Sequence, residues 1–125
     1  GVSSEVTEGD TLGGFKGTNA HLADLDNFLE DGNKKLAEGV INHLREFAKS
    51  RIDKANAIIK AVADGETDID IAGVPFKIDG QKSAQFAKST IIGKDLKAIN
   101  AALAVAEFRF GQEFGEKAQV APVPT

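Results

Sequence analysis

Four acidic side chains stand close together near the middle of the chain, as in a calcium site, at Asp64, Glu66, Asp68 and Asp70. An EF-hand loop needs Gly at its sixth position and Glu at its twelfth. Counted from Asp64, those positions hold Ile69 and Pro75, so the loop is not an EF-hand. On the outer face of a β-hairpin such carboxylates are ordinary solvated groups that discourage edge pairing. We therefore expect no bound cation here.

His43 and Glu46 lie one helical turn apart, a spacing that could bind a metal ion or move a proton. His21 is the only other histidine, and no motif supplies a third ligand. A partly buried structural histidine is the more common role for such a residue. We predict neither a metal ion nor a cofactor.

Motifs for phosphate binding and nucleophilic catalysis are missing from the sequence. Gly93 and Lys94 are followed by Asp95, where a phosphate-binding loop has Ser or Thr. No GxSxG elbow is present, and the lack of Cys excludes thiolate chemistry and disulfides. Because no nucleophile, base and orienting group come together, we predict that the protein is not an enzyme.

Polar and basic residues share one side of the longest predicted helix, at Arg45, Lys49, Asn56 and Lys60. A nucleic-acid binder would present such a face, usually with aromatic residues between the charges and a basic chain overall. Here no aromatic residue interleaves, Glu46 and Asp53 flank the face, and the net charge is −4. The pattern favours a solvated helix face.

The composition is that of a single globular domain with a modest core: 125 residues, 42% hydrophobic and 27% charged. The charges come in blocks, since residues 32–62 carry seven bases and three acids and residues 1–31 carry seven acids and one base. Such blocks favour contacts between complementary patches. Neither a membrane-spanning run nor a signal-peptide pattern is evident, so we expect a soluble protein of unassigned compartment.

Hydrophobic periodicity predicts a long helix over residues 33–63, about 46 Å in length, after a shorter helix over residues 20–30. Residues 67–79 change to a period of two, which predicts a β-hairpin with a two-residue turn at Ala72-Gly73. This register places Ile71 opposite Val74 and Ile69 opposite Phe76. Pro75 assigns the second strand to an edge.

After the hairpin we expect a helical turn or two over residues 81–88, a break at residues 89–93, and a last helix over residues 94–111. The last helix is apolar nearly all round, which indicates burial on more than one side. In a domain this small the second side is predicted to be another subunit. The interface candidates are Leu96, Ala101, Val105, Phe108 and Phe110.

Arg51 projects from the middle of the long helix's apolar arc, where a guanidinium needs a carboxylate partner. We predict a structural ion pair with Glu107, within one chain or between chains. Asp24 and Asp26 are reserve candidates. The alternative is that Arg51 lays its stem on the core and extends its charge to water.

The predicted fold is mainly α: three principal helices, the second one long, with one β-hairpin packed across them. An N-terminal arm (1–17) precedes a helical domain (18–114), and a C-terminal extended tail (115–125) follows it. The predicted function is that of a non-enzymatic structural or assembly protein, a subunit of a larger oligomeric particle. Its partners would be copies of itself or other subunits, reached through the arms and the last helix.

A concrete version of this function is a capsid-associated or decorating protein of a virus particle. The alternative is a soluble regulatory or binding domain, either a small inhibitor or a helical nucleic-acid binder. Nucleic acid is the less favoured partner, and we expect no membrane and no small-molecule substrate.

Overall fold

The structure, a computed structural model, describes residues 18–118. Its elements are α1 (Thr18–Glu30), α2 (Lys34–Ala63), β1 (Asp68–Ile71), β2 (Val74–Lys77), α3 (Gly80–Gln85), a π-helix (Phe86–Leu96) and α4 (Lys97–Phe114). The predicted fold class is confirmed, since the chain is mainly helical, its second helix is the longest, and one antiparallel hairpin is present. The predicted arm at 1–17 and residues 119–125 of the predicted tail lie outside the described residues.

Local signals explain where α1 ends and where α2 begins. Gly32 takes a φ of +71° after α1, a conformation that Gly adopts without steric cost, and the N–H of Asn33 donates to the carbonyl of Phe28 at 2.8 Å. The side-chain oxygen of Asn33 then accepts the N–H of Leu36 at 3.2 Å. Asn33 therefore caps the start of α2.

The chain divides into two compact units. Unit 1 comprises Gly1–Lys49 and Ala98–Thr125, of which residues 18–49 and 98–118 are described. Unit 2 comprises Ser50–Lys97. The first boundary falls within α2, so this one helix supplies its first half to unit 1 and its second half to unit 2.

Unit 1 is held by an apolar core that α1, α2 and α4 supply. The α2 residues are spaced three or four apart, as expected for one buried helical face. The buried members are Leu25, Phe28, Leu29, Ala37, Val40, Ile41, Leu44, Ala106 and Phe110. Partly buried residues, including Phe114 and Ala118, pack against them.

Unit 2 packs the hairpin's apolar face on helical residues. The predicted register is confirmed: Ile71 pairs with Val74 and Ile69 pairs with Phe76. Burial alternates along both strands, and Ile69, Ile71 and Phe76 contact a core of helical residues and the strand-flanking Ile78. The buried members of this core are Ala55, Ile58, Ala61, Ile78, Ala87 and Ile91.

The hairpin turn holds both of its central residues at positive φ, +52° for Ala72 and +84° for Gly73. Two-residue turns of this kind match the twist of the strands. Gly73 adopts the conformation freely, whereas an L-residue with a β-carbon such as Ala72 carries a cost of roughly 1–2 kcal/mol.

The predicted helix break at residues 89–93 is wrong. The backbone stays helical from Gly80 to Phe114, and residues 86–96 form a π-helix between α3 and α4. A β-carbon built on Gly93 would meet the carbonyl oxygen of Lys88 at 3.1 Å, and that carbonyl lies five residues earlier, at the π-helical spacing. Gly93 therefore admits a close backbone approach and does not end the helix.

Candidate functional site

The most unusual chemical feature of unit 2 is a buried cluster of three charged side chains. Arg51 on α2 is 1% exposed, and its guanidinium contacts the carboxylate of Asp95, which is 5% exposed and lies on the π-helix. Lys54, one helical turn after Arg51, is 4% exposed. Charged side chains are almost never buried this deeply without compensating interactions.

The carboxylate beside Arg51 therefore differs from the predicted one. The predicted partner was Glu107, but the structure places Asp95 beside Arg51. Glu107 lies 3.6 Å from the guanidinium of Arg45 in unit 1. Arg51 contacts a carboxylate, as predicted, but the residue that supplies it is Asp95 and not Glu107. The alternative in which Arg51 extends to water is excluded by its 1% exposure.

Aromatic rings complete the cluster around Lys54. Its ammonium lies 5.6 Å from the ring centroid of Phe76 and 5.7 Å from that of Phe86, and the two rings are 6.3 Å apart. Cations attract the negative faces of such rings. Burial, and then the charge of Arg51, lower the pKa of Lys54 from its ordinary value, while Asp95 acts in the opposite direction.

Chemically, this arrangement can hold a charged group in a dry environment and fix the position of the π-helix on α2 and the hairpin. A lysine of lowered pKa is also the usual precursor of an amine nucleophile. At 4% exposure, however, Lys54 offers a substrate no approach. The cluster is therefore structural in the conformation described.

Asp95 and Lys54 were not among the predicted site residues, although the sequence carries a signal for each. Asp95 stands four residues after Ile91 and four before Ile99, in the middle of an apolar stripe. Lys54 stands beside Ala55, a buried position of α2. A charged residue within a helical apolar stripe indicates a buried partner just as Arg51 did.

The second candidate is an exposed apolar surface on α4, which we call the α4 face. It comprises Ala98, Ala101, Ala104, Val105 and Phe108. Phe108 is 65% exposed and Val105 is 39% exposed. The interface candidates Ala101, Val105 and Phe108 therefore lie together on one accessible side of unit 1.

Two other interface candidates do not belong to this face. Phe110 is fully buried in the core of unit 1 and contacts Phe114 at a ring-centroid distance of 4.8 Å. Since successive residues of a helix are separated by about 100°, Phe108 and Phe110 point to different sides. Leu96 is half-buried and belongs to unit 2.

A cleft of about 560 Å³ adjoins the α4 face in unit 1. Phe108, Gly111 and Glu107 line it from α4, Arg45 lines it from α2, and residues 115–118 line its remaining side. Gly111 contributes no side chain to this lining, and Phe108 contributes an aromatic one.

The remaining sequence candidates form no site. His21 is buried, and its ring stacks with that of His43 at 6.5 Å. Within residues 18–118, no group of three or more His, Asp or Glu side chains could hold a metal ion. Asp64 contacts Lys60 at 2.7 Å, and Asp68 and Asp70 are exposed on the outer face of the hairpin, as expected.

The basic side of α2 is partly neutralised by neighbouring carboxylates. Arg45 lies near Glu107, and Lys60 is paired with Asp64.

No helix within residues 18–118 is both long and apolar enough to cross a membrane. Neither a family model, nor a curated protein, nor a solved structure matches this chain.

Proposed function

We propose that the protein is a non-enzymatic structural subunit that associates with further copies of itself through the α4 face. The observation that carries the proposal is Phe108, an aromatic side chain 65% exposed among Ala and Val residues. Aromatic residues in an apolar patch are typical of the positions that contribute most to protein association.

Shape also supports self-association through this helix. Ala98, Ala101 and Ala104 are exposed and carry the smallest apolar side chain. A second helix can therefore approach the backbone of α4 closely, with Phe108 and Val105 inserting beside it. Burial of apolar surface contributes about 25 cal/mol per Å², so covering this face would favour association.

Charge placement supports assembly over the alternative of a helical nucleic-acid binder. Two of the four residues of the basic side of α2, Arg45 and Lys60, already have carboxylates as neighbours. A phosphate backbone would have to compete with those carboxylates. The finer identification, a capsid-associated or decorating protein of a virus particle, stays a prediction.

Sedimentation equilibrium over a range of concentrations tests the proposal. The wild-type protein is expected to exceed its monomer mass of 13.2 kDa as concentration rises. Phe108→Asp should weaken association at least about tenfold, because it places a charge within the buried patch.

Leu36→Asp is the matched control. Leu36 is also a large exposed apolar residue, 49% accessible, but it lies on the first turn of α2 and outside the α4 face. An acidic residue is favourable at the start of a helix, so this variant should fold normally and associate like the wild type. A wild-type protein that remains monomeric at about 1 mM, or equal association of the two variants, contradicts the proposal.

A further inference from the structure

The α4 face carries its large and small side chains at complementary positions about its own midpoint, which lies between Ala104 and Val105. Phe108 and Ala101 lie equally far from this midpoint, on opposite sides of it. Each larger residue is thus matched by an alanine across the midpoint, Phe108 by Ala101 and Val105 by Ala104. A second copy of the helix that runs in the opposite direction therefore presents the complementary shape.

These four residues also point to one side of α4. At about 100° per residue, Ala101 and Phe108 differ by only about 20° around the helix axis, and Ala104 and Val105 flank them on either side. All four are exposed in unit 1, and Phe108 and Val105 still have 65% and 39% of their surface to bury. Small side chains between larger ones let two helices approach closely while their side chains interdigitate.

A parallel arrangement of two α4 helices fits this face poorly. In a parallel pair in register, each residue near the middle of the face meets its own copy. Phe108 would then lie against Phe108 and Ala101 against Ala101, so that large residues crowd each other and small ones leave a gap. Lys97, which is exposed about 20° from Phe108 around the axis, would lie near Lys97. Like charges brought together at an interface oppose association.

The antiparallel arrangement also places charge favourably. It brings Lys97 of the second copy to the level of Gly111, in the last turn of α4. That turn has no basic residue of its own. A cation near the C-terminal end of a helix is stabilising, because the helix dipole is negative there. Charge and side-chain size therefore favour the same orientation.

We propose that two copies of the protein pair through α4 in antiparallel orientation, about a two-fold axis that passes beside Ala104 and Val105. The proposal rests on the proposed self-association and specifies its geometry. Phe108 of each copy packs on Ala101 of the other, and Ala104 approaches its own counterpart. Such an interface uses the same surface on both copies and closes at two. The α4 face alone therefore yields a dimer, and a larger particle needs a further surface.

Disulfide cross-linking of single-cysteine variants tests the orientation, because the chain has no cysteine of its own. Ala104→Cys places the thiol beside the proposed axis, next to the same thiol of the second copy. Ala98→Cys is the matched control, since it also replaces an exposed alanine of the α4 face. Its two thiols would lie about 20 Å apart along the antiparallel helices, too far for a disulfide.

Each variant is oxidised with glutathione disulfide, and the cross-linked dimer is measured by intact mass. We expect Ala104→Cys to cross-link at least about tenfold faster than Ala98→Cys. A parallel pair would bring both kinds of thiol close to their own copies. Equal rates, or a faster reaction of Ala98→Cys, overturn the proposal.

A mixture of two variants provides the positive test for the control position. In the antiparallel pair Ala98 of one copy lies beside Gln112 of the other, and both residues are exposed. Mixed Ala98→Cys and Gln112→Cys proteins should therefore form the mixed disulfide faster than either forms a bond with its own copy. Intact mass separates the mixed dimer from the two symmetric ones. Failure of the mixed bond to exceed the symmetric ones overturns the proposal.

Sedimentation equilibrium of the reduced variants separates this proposal from the proposed function. Association accompanied by the wrong cross-links contradicts the antiparallel arrangement alone. A reduced Ala104→Cys protein and a wild type that both remain monomeric contradict self-association, and the arrangement with it. Association accompanied by the expected pattern of cross-links supports both.

Discussion

The two units differ in where their charged side chains lie relative to the core. In unit 1 the core is apolar and the ion pairs lie at the surface: the side chains of Lys34–Glu116, Arg45–Glu107 and Arg109–Asp26 are 36–54% exposed. In unit 2 three charged residues lie at or below 5% exposure beneath the hairpin and the π-helix. Exposed pairs contribute little to stability, whereas disruption of a buried pair is strongly destabilising.

The units also differ in how regular their backbone is. The described part of unit 1 is built from α-helices, with the turn at Gly32 and the chain reversal at Gly115. Unit 2 contains a two-stranded hairpin, an alanine at positive φ and an eleven-residue π-helix. Two strands alone are marginally stable. We infer that the buried charges of unit 2 specify how its irregular elements pack, while apolar periodicity suffices in unit 1.

The largest expected effect comes from removing the buried carboxylate. Asp95→Asn keeps the side-chain volume but takes the negative charge away from Arg51 and Lys54. Breaking a buried pair in this way costs about 3–5 kcal/mol, which urea denaturation would report as a lower free energy of unfolding.

Asp26→Asn provides the comparison in unit 1. Asp26 accepts two hydrogen bonds from Arg109, at 3.1 and 3.0 Å, but the pair is exposed. Its loss should change the free energy of unfolding by no more than about 1 kcal/mol. If the two substitutions have the same effect, the buried charges do not distinguish the units.

The second effect concerns the apolar face of the hairpin. Phe76 contacts the core of unit 2, stacks near Phe86 and faces the ammonium of Lys54. Phe76→Ala should lower the free energy of unfolding by about 3 kcal/mol, near the lower end for buried aromatic residues because Phe76 is only half-buried. Urea denaturation measures the change.

Lys77→Ala is the control for the hairpin. Lys77 is the next residue of β2 and is exposed on the opposite face. Its replacement should change the free energy of unfolding by less than about 0.5 kcal/mol. A loss as large as that of Phe76→Ala would show that the packed face does not hold the hairpin.

Sequence periodicity predicted those parts of the fold in which one period continues over many residues. The long helix, the hairpin register and the end of the first helix at residue 30 all follow from such local patterns. The π-helix did not, because Ser89, Thr90 and Gly93 have low helix propensity and suggested a break. In the structure, Gly93 accommodates the close carbonyl of Lys88 within the helix.

The candidate site was predictable only in part, for a related reason. Arg51 indicated the need for a carboxylate through its position in an apolar arc. The identity of its carboxylate partner depended on the position of Asp95 in space. That position could not be inferred from the predicted fold, which had a break at residues 89–93. Phe108 and Phe110 were both proposed for an interface because the last helix is apolar on several sides. Only tertiary packing decides which side the core covers.

The smallest effect is a change in how stability depends on pH, and it separates a buried lysine from an exposed one. Burial lowers the pKa of Lys54 in the folded protein. Between that pKa and the ordinary lysine value of about 10.4, the unfolded chain binds more protons than the folded one. The free energy of unfolding therefore rises with pH across this interval. Lys54→Met removes the contribution, so the wild type should gain stability relative to the variant as pH rises towards the ordinary lysine value of about 10.4.

Lys60→Met is the matched control, because its pKa moves in the opposite direction. The hydrogen bond from Lys60 to Asp64 raises the pKa of Lys60 in the folded protein. Its contribution is thus fully present below the ordinary lysine value and is lost only as pH rises above about 10.4. Relative to Lys60→Met, the wild type should show no gain between about pH 7 and pH 10. If the stability difference between the wild type and each variant stays constant over that range, burial in unit 2 does not lower the pKa of Lys54, and the prediction is contradicted.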